Sequence, residues 1–249
     1  MKKYLSFILA LIMILSFSAC KDDDDSPTLE GTTNNTSQGG TQTPAGKDLS
    51  QFRGKLLEPT IQLIASGNYM YEAKTTSEAA PITYATVGGR SLITYTNAQN
   101  VPVTYINMDN KFYIVSSADS AYGEITPAVA ARYNISLDDL GTVFDTADFS
   151  VFLSCSYKSS GTATIGADSY KYEDYYNAMA QHTRRFFFDQ SGTLVYMTTL
   201  DSDGNQGALS TVTLYSATES VFDILKSYKL VDLSGQTTGN STSNTSNVQ

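Results

Sequence analysis

The sequence predicts an α+β, mainly β fold, built on a long antiparallel sheet with a few short helices packed on it. Three observations predict it. Runs of six to ten residues alternate side-chain character and are rich in Tyr, Phe, Val, Ile and Thr, the residue types that suit a pleated, half-buried surface. The segments between most of these runs are only two to six residues long, which suits hairpins rather than crossovers. Between residues 126 and 144 the period changes from two to helical.

In chain order, "DLSQFRGKLLEPTIQLIASG" offers Asp48 as an N-cap, Leu49, Phe52 and Leu56 on one face, Pro59 near N1 and Gly67 as a stop. This is one broken helix or two short ones. Strands are expected at "NYMYEAK", "PITYATV", "RSLITYT", "VPVTYINM" and "KFYIVSS", an antiparallel meander. Thr126 followed by Pro127 starts a helix, and Ser136 with Asp139 forms an imperfect capping box ahead of Leu140, Val143 and Phe144. Strands resume at "SVFLSCSYKS", "GTATIG", "DSYKYEDYYN", "HTRRFFFDQ", "GTLVYMTTLD" and "ALSTVTLYS", and "SATESVFDILKSY" closes with a short helix. A sheet of about eleven strands is too long to stay flat, so it must curl or split.

Residues 1–19 read as a secretory signal peptide: Lys2 and Lys3, then "LSFILALIMILSF", then Ser18 and Ala19. The apolar run is shorter than the roughly 20 residues that span a bilayer. "FSAC" resembles the bacterial lipobox, with Phe17 where that family usually has Leu; the resemblance implies that Cys20 is acylated and begins the mature chain. An ordinary signal peptide cut nearby, leaving Cys20 free, is the other reading. Residues 20–47 form an acidic, then Ser/Thr/Gly-rich linker, and residues 234–249 a polar tail; neither carries enough apolar surface to offset its ordering entropy, so both are expected to be disordered. Residues 48–233 are the single folded domain. The linker's reach, roughly 25–30 Å for a flexible coil, clears a membrane's headgroups.

Net charge is −9, and −11 without Lys2 and Lys3. No Lys/Arg patch stands out, so nucleic acid is excluded as a partner class. His182 is the one histidine, which rules out a two-His metal site, and no serine or acid stands in an elbow or triad motif. We therefore expect no catalytic residue and no cofactor or metal. "DSDGNQG" spaces Asp201, Asp203 and Asn205 like a calcium loop, but Gln206 replaces the turn glycine and Val212 the closing Glu; a hairpin turn is the better reading. Asp22, Asp23, Asp24 and Asp25 form a solvated acidic run. Cys155, in "VFLSCSY", reads as a small buried hydrophobe.

The chain has 17 Tyr and 11 Phe, and "YMYEAK", "SYKYEDYYN" and "TRRFFFD" set aromatics at alternate positions. One face of several strands therefore carries rings, which pack a core or line a cavity. Taken in order, "LLEPTIQLIASGNYMYEAK", "SCSYKSSGTATIGADSYKYEDYYN" with Tyr172 and Tyr175 around Glu173, and "RRFFFDQSGTLVYM" resemble the lipoprotein-carrier superfamily, the LolA-like periplasmic carriers and LppX-like lipid-transfer lipoproteins. The resemblance covers roughly residues 50 to 225. It implies a strongly curved, unclosed half-barrel with short helices on its concave face, an apolar groove for acyl chains, and no catalytic residue.

These readings give a lipid-anchored protein of the bacterial cell envelope that binds a lipid or other apolar ligand. The alternative is a structural or interaction domain with a solid core, whose partner is an envelope protein or glycan. The strand phase puts Tyr84, Tyr105, Phe112, Tyr172, Phe186, Phe188 and Met197 on the groove wall. A slip of one residue would send each to the opposite face.

Overall fold

A computed structural model of the chain describes residues 48–75, 80–96, 102–178 and 180–234. The leader, Cys20, the linker and the tail beyond Ser234 lie outside the described residues.

Among the described residues, twelve strands form one unclosed sheet. The first six, β1 (Tyr69–Thr75), β2 (Ile82–Val87), β3 (Arg90–Thr96), β4 (Pro102–Met108), β5 (Lys111–Ser116) and β6 (Ala121–Glu124), run outward from the middle of the sheet as a meander. The chain then crosses to the far edge and returns inward through β7 (Ser156–Ile165), β8 (Asp168–Asn177), β9 (His182–Phe188), β10 (Leu194–Leu200) and β11 (Ser210–Ser216). β11 closes on β1 in antiparallel register, Tyr71 opposite Leu214. A two-residue strand, β12 (Lys229–Leu230), pairs parallel to β6 at the outer edge.

The crossing runs over the concave face and supplies most of its helices. It comprises α2 (Pro127–Tyr133), α3 (Leu137–Ala147) and a 3₁₀ segment, Phe149–Ser154. Its starts are those the sequence announces: Thr126 Oγ1 accepts from Val129 N at 3.3 Å and Ser136 Oγ from Asp139 N at 3.1 Å, each satisfying one of a helix's orphan donors. Asn134, in the left-handed region at φ 53°, turns the chain between the two. Ahead of β1, a 3₁₀ turn (Ser50–Phe52) and α1 (Glu58–Ala65, with Pro59 in its first turn) lie on the same side. Asp48 Oδ1 accepts from Ser50 N at 2.9 Å, which leads the chain into the 3₁₀ turn; Asp48 does not cap α1.

Strand alternation sorts the apolar residues into two clusters. Tyr69, Tyr71, Tyr84, Ile93, Tyr105, Phe186, Phe188, Met197 and Val212 face the concave side and pack with Phe52, Ile61, Leu140, Phe144, Phe149 and Phe152. Each such ring or branched chain, fully buried, is worth about 1.5–3 kcal/mol. Val87, Ile106, Tyr113 and Val115 face the convex side, under Ala217 and Phe222. There the chain after β11, the 3₁₀ segment Glu219–Phe222 and α4 (Ile224–Ser227), straps the back of the first meander. Arg90 pairs with Glu219 and lies over the Phe222 ring. The convex backs of β7–β10 contribute no residue to that second cluster.

Two expected elements differ. "SVFLSC" does not begin a strand: Phe149–Ser154 is 3₁₀, and the two runs "SVFLSCSYKS" and "GTATIG" supply one strand, β7. A short apolar run reads equally as strand or buried helix, and here Asp148, accepting from Ser150 N at 2.8 Å, starts the turn. β6 and β12 are too short to have declared themselves by alternation.

Candidate functional site

The site is the trough between the concave sheet and its helical cover. Pro127–Ser154 spans it from the β6 edge to the β7 edge and, among the described residues, makes no backbone hydrogen bond to the sheet. It is held by side chains. The Tyr71 ring stacks on Phe149 with centroids 3.9 Å apart, Phe152 meets Phe186 edge-on at 5.1 Å, and Phe112 stacks on Phe144 at 5.7 Å. Two tyrosine hydroxyls add polar ties: Tyr71 donates to Ala147 O at 2.8 Å, and Tyr69 to Asp148. Burial, with Asp148 adding to it, raises the Tyr69, Tyr71 and Tyr84 hydroxyls far above the usual phenol range. They remain neutral at any physiological pH.

Of the seven residues the strand phase selects, the structure brings six to this face. Tyr84, Phe186, Phe188 and Met197 are at most 2% exposed and Tyr105 8%, while Phe112 is half-buried against the same cluster. Tyr172 is the correction. It sits on the convex face because Glu173 and Tyr175 take the concave positions of β8. Its ring lies over Gly161 of β7, directly across the ladder, packs edge-on to Phe187 and carries the Arg185 guanidinium 3.9 Å from its centroid. A ring folded over a cross-strand glycine replaces the missing side chain.

The strand-phase selection missed Tyr69, Tyr71, Tyr175, Phe149, Phe152 and two buried charged residues, Glu173 and Arg184. The strand residues among them were visible as alternation: Tyr69 with Tyr71, and His182, Arg184, Phe186 and Phe188 along one face of β9. Glu173 is 4% exposed. Its carboxylate accepts from Leu56 N (2.8 Å), Leu57 N (3.0 Å) and the Tyr175 hydroxyl (2.9 Å), so it pins the entry to α1 onto β8. The Asp174 carboxylate, on the other face, takes Arg185 through two bonds of 2.7 and 2.9 Å.

Arg184 is 7% exposed. Its Nε donates to His182 Nε2 at 3.1 Å, and the His182 Nδ1 lies 3.1 Å from Ala180 O, which fixes the neutral tautomer with the proton on Nδ1. Burial, then the Arg184 charge, holds the His182 pKa below its ordinary value. Burial also pulls the Arg184 guanidinium down to about 10, against smaller opposing effects of Cys155 and Tyr71.

Cys155 is buried at 1% exposure, its Sγ 3.7 Å from Val151 O, and burial pushes its thiol up to about 11. Thiolate is the reactive form, so folded protein at pH 8 should resist a thiol-alkylating reagent and react stoichiometrically in denaturant. Fast labelling of native Cys20→Ala protein would contradict this. The Asp201 turn binds its own backbone: Oδ1 accepts from Asp203 N and Asn205 N at 3.0 and 2.7 Å, and Oδ2 from Asn205 Nδ2 at 2.9 Å. That is a hairpin turn's geometry. His182 opens β9, half-buried.

No helix among the described residues is long and apolar enough to cross a membrane. No family model matches the chain, and no curated protein matches its sequence. Solved structures are similar at low identity. An uncharacterised conserved protein from Thermus thermophilus is 9% identical, with a TM-score of 0.33 over 71% of this chain and 96% of that one. The MucA/MucB complex of Pseudomonas aeruginosa gives 9% identity and a TM-score of 0.31 over 67% of this chain and 58% of that one, so the chain spans little more than half of that neighbour. A LolA superfamily protein from Nitrosomonas europaea gives 10% identity and a TM-score of 0.25 over 66% of this chain and 92% of that one. At such distances these likenesses carry no ligand or partner across to this chain.

Proposed function

We propose that the chain is a non-catalytic protein of the bacterial cell envelope, anchored by lipid on Cys20, that holds an apolar ligand between its curved sheet and helical cover. The observation that carries this reading is the make-up of that interface. Aromatic and aliphatic side chains line it almost throughout, and among the described residues the cover crosses it on side-chain contacts, without a backbone ladder to the sheet. The chain's own rings fill the trough, so this reading takes the packed arrangement as its closed form. A ligand enters by displacing the cover, and its affinity is reduced by the cost of that opening.

Cys20→Ala protein separates anchor from cargo. It should move from the membrane to the soluble fraction; continued retention refutes the anchor. Organic extraction of that soluble form, followed by mass spectrometry, should find bound lipid, which cannot be the anchor itself.

A second reading, a solid interaction domain for an envelope protein or glycan, is favoured by one observation. Tyr176 and Tyr215 are 39% and 42% exposed on the convex side, where Tyr170 and Tyr196 also pair at 5.3 Å. Lipid-free Cys20→Ala protein that gains no thermal stability from added fatty acid would decide for it.

A further inference from the structure

Arg184 and Arg185 are consecutive residues of β9 with opposite circumstances. Arg185 faces outward and has a bidentate carboxylate partner in Asp174. Arg184 faces the trough at 7% exposure and, among the described residues, has no carboxylate within ion-pairing distance. The nearby acids are committed elsewhere: Asp148 to Tyr69 and Ser150, Glu173 to Leu56, Leu57 and Tyr175, Asp174 to Arg185. Among the described residues the Arg184 side chain makes one hydrogen bond, from Nε to His182 Nε2, and its two Nη groups meet no acceptor. Around it stand neutral groups: the Phe152 ring, 5.9 Å from Cζ, the Tyr71 phenol, the Cys155 thiol and neutral His182.

A buried cation with no counter-ion costs free energy that an apolar side chain of similar volume would not. Its free Nη edge is a planar fork of donors, the shape that takes a carboxylate or phosphate through two parallel bonds. The apolar surface continues from it along the same face of β9, with Phe186 and Phe188 about 7 and 13 Å further on at the usual strand rise, and Met197 paired beside Phe186. We infer that Arg184 receives the anionic head, carboxylate or phosphate, of an amphiphile whose tail lies along Phe186 and Phe188 beneath the cover. This rests on the apolar-ligand reading above and adds to it a charge on the ligand and the residue that meets it.

The test uses soluble full-length Cys20→Ala protein, stripped of bound lipid, and calorimetric titration with oleate, with oleyl alcohol (the same tail without the charge) and with inorganic phosphate. Oleate should bind at least about tenfold more tightly than the alcohol, the contribution expected of hydrogen bonds to a charged partner. Arg184→Met should remove that preference, and its ligand-free melting temperature should equal or exceed that of the parent. Equal affinity for oleate and alcohol in the parent protein overturns the inference without any variant. So does a preference that survives Arg184→Met, and so does phosphate alone binding as tightly as oleate, which would mean an anion site without a tail. If the alcohol binds but oleate gains nothing, the apolar-ligand reading stands and only the charge assignment falls. If neither amphiphile binds, both fall.

Discussion

Glu173→Ala is expected to lower the free energy of unfolding by about 3 kcal/mol or more, the cost of leaving three donors without their acceptor at about 1–3 kcal/mol each. The reason is what stays behind. Leu56 N–H, Leu57 N–H and the Tyr175 hydroxyl all donate to this carboxylate, and alanine leaves three donors, two of them buried, without an acceptor, each costing about 1–3 kcal/mol if water cannot reach it. The Leu56 and Leu57 amides immediately precede α1, where no intrahelical acceptor exists and a negative charge is favoured by the helix dipole. The same anchor holds Phe52, stacked 5.2 Å from Tyr175, against the sheet. Glu173→Gln keeps the shape and one acceptor oxygen, so its cost should be about 1–2 kcal/mol. Urea unfolding followed by circular dichroism measures both, and hydrogen exchange at Leu56 and Leu57 should accelerate in the alanine variant. Equal stability of parent and Glu173→Ala would show that the 50–57 segment is held by packing alone.

How much of this was legible in the sequence depends on the range of the interaction. The eleven alternating runs locate ten of the twelve strands, because a side chain's face is set by its own neighbours two residues away. The caps at Thr126 and Ser136 are equally local. Tyr172 was misplaced because "SYKYEDYYN" carries tyrosines on both faces, so alternation alone leaves the phase open. Glu173, accepting from residues 116 and 117 positions earlier, settles it. "SVFLSC" was misassigned for a similar reason: its short apolar run suits a strand or a helix equally, and the ring that Phe152 packs on, Phe186, lies on a distant strand, as does Tyr71, the partner of the preceding Phe149. The place of Arg184 in the trough could be read from its phase with Phe186 and Phe188. Its lack of a counter-ion could not, since that depends on where Asp148 and Glu173 spend their acceptors.

Phe152→Ala is expected to have the second large effect, and it separates the two functional readings. The ring is 4% exposed, packed against Phe149 at 4.8 Å and Phe186 at 5.1 Å, so truncation should cost about 3–5 kcal/mol in lost burial and residual cavity. A solid interaction domain simply loses that stability. In a ligand-holding trough the ring occupies the space a tail would take, and parent protein must displace it before an acyl chain can enter. The variant has already lost that contact. Oleate should therefore bind Phe152→Ala more tightly than the parent and recover part of the lost stability, through the mass-action term that any ligand of the native state contributes. Thermal unfolding of parent and variant, each with and without oleate, reads both effects together: a larger ligand-induced rise in melting temperature for the variant supports the trough. A uniform drop that oleate does not touch points to the exposed tyrosines of the convex face as the working surface.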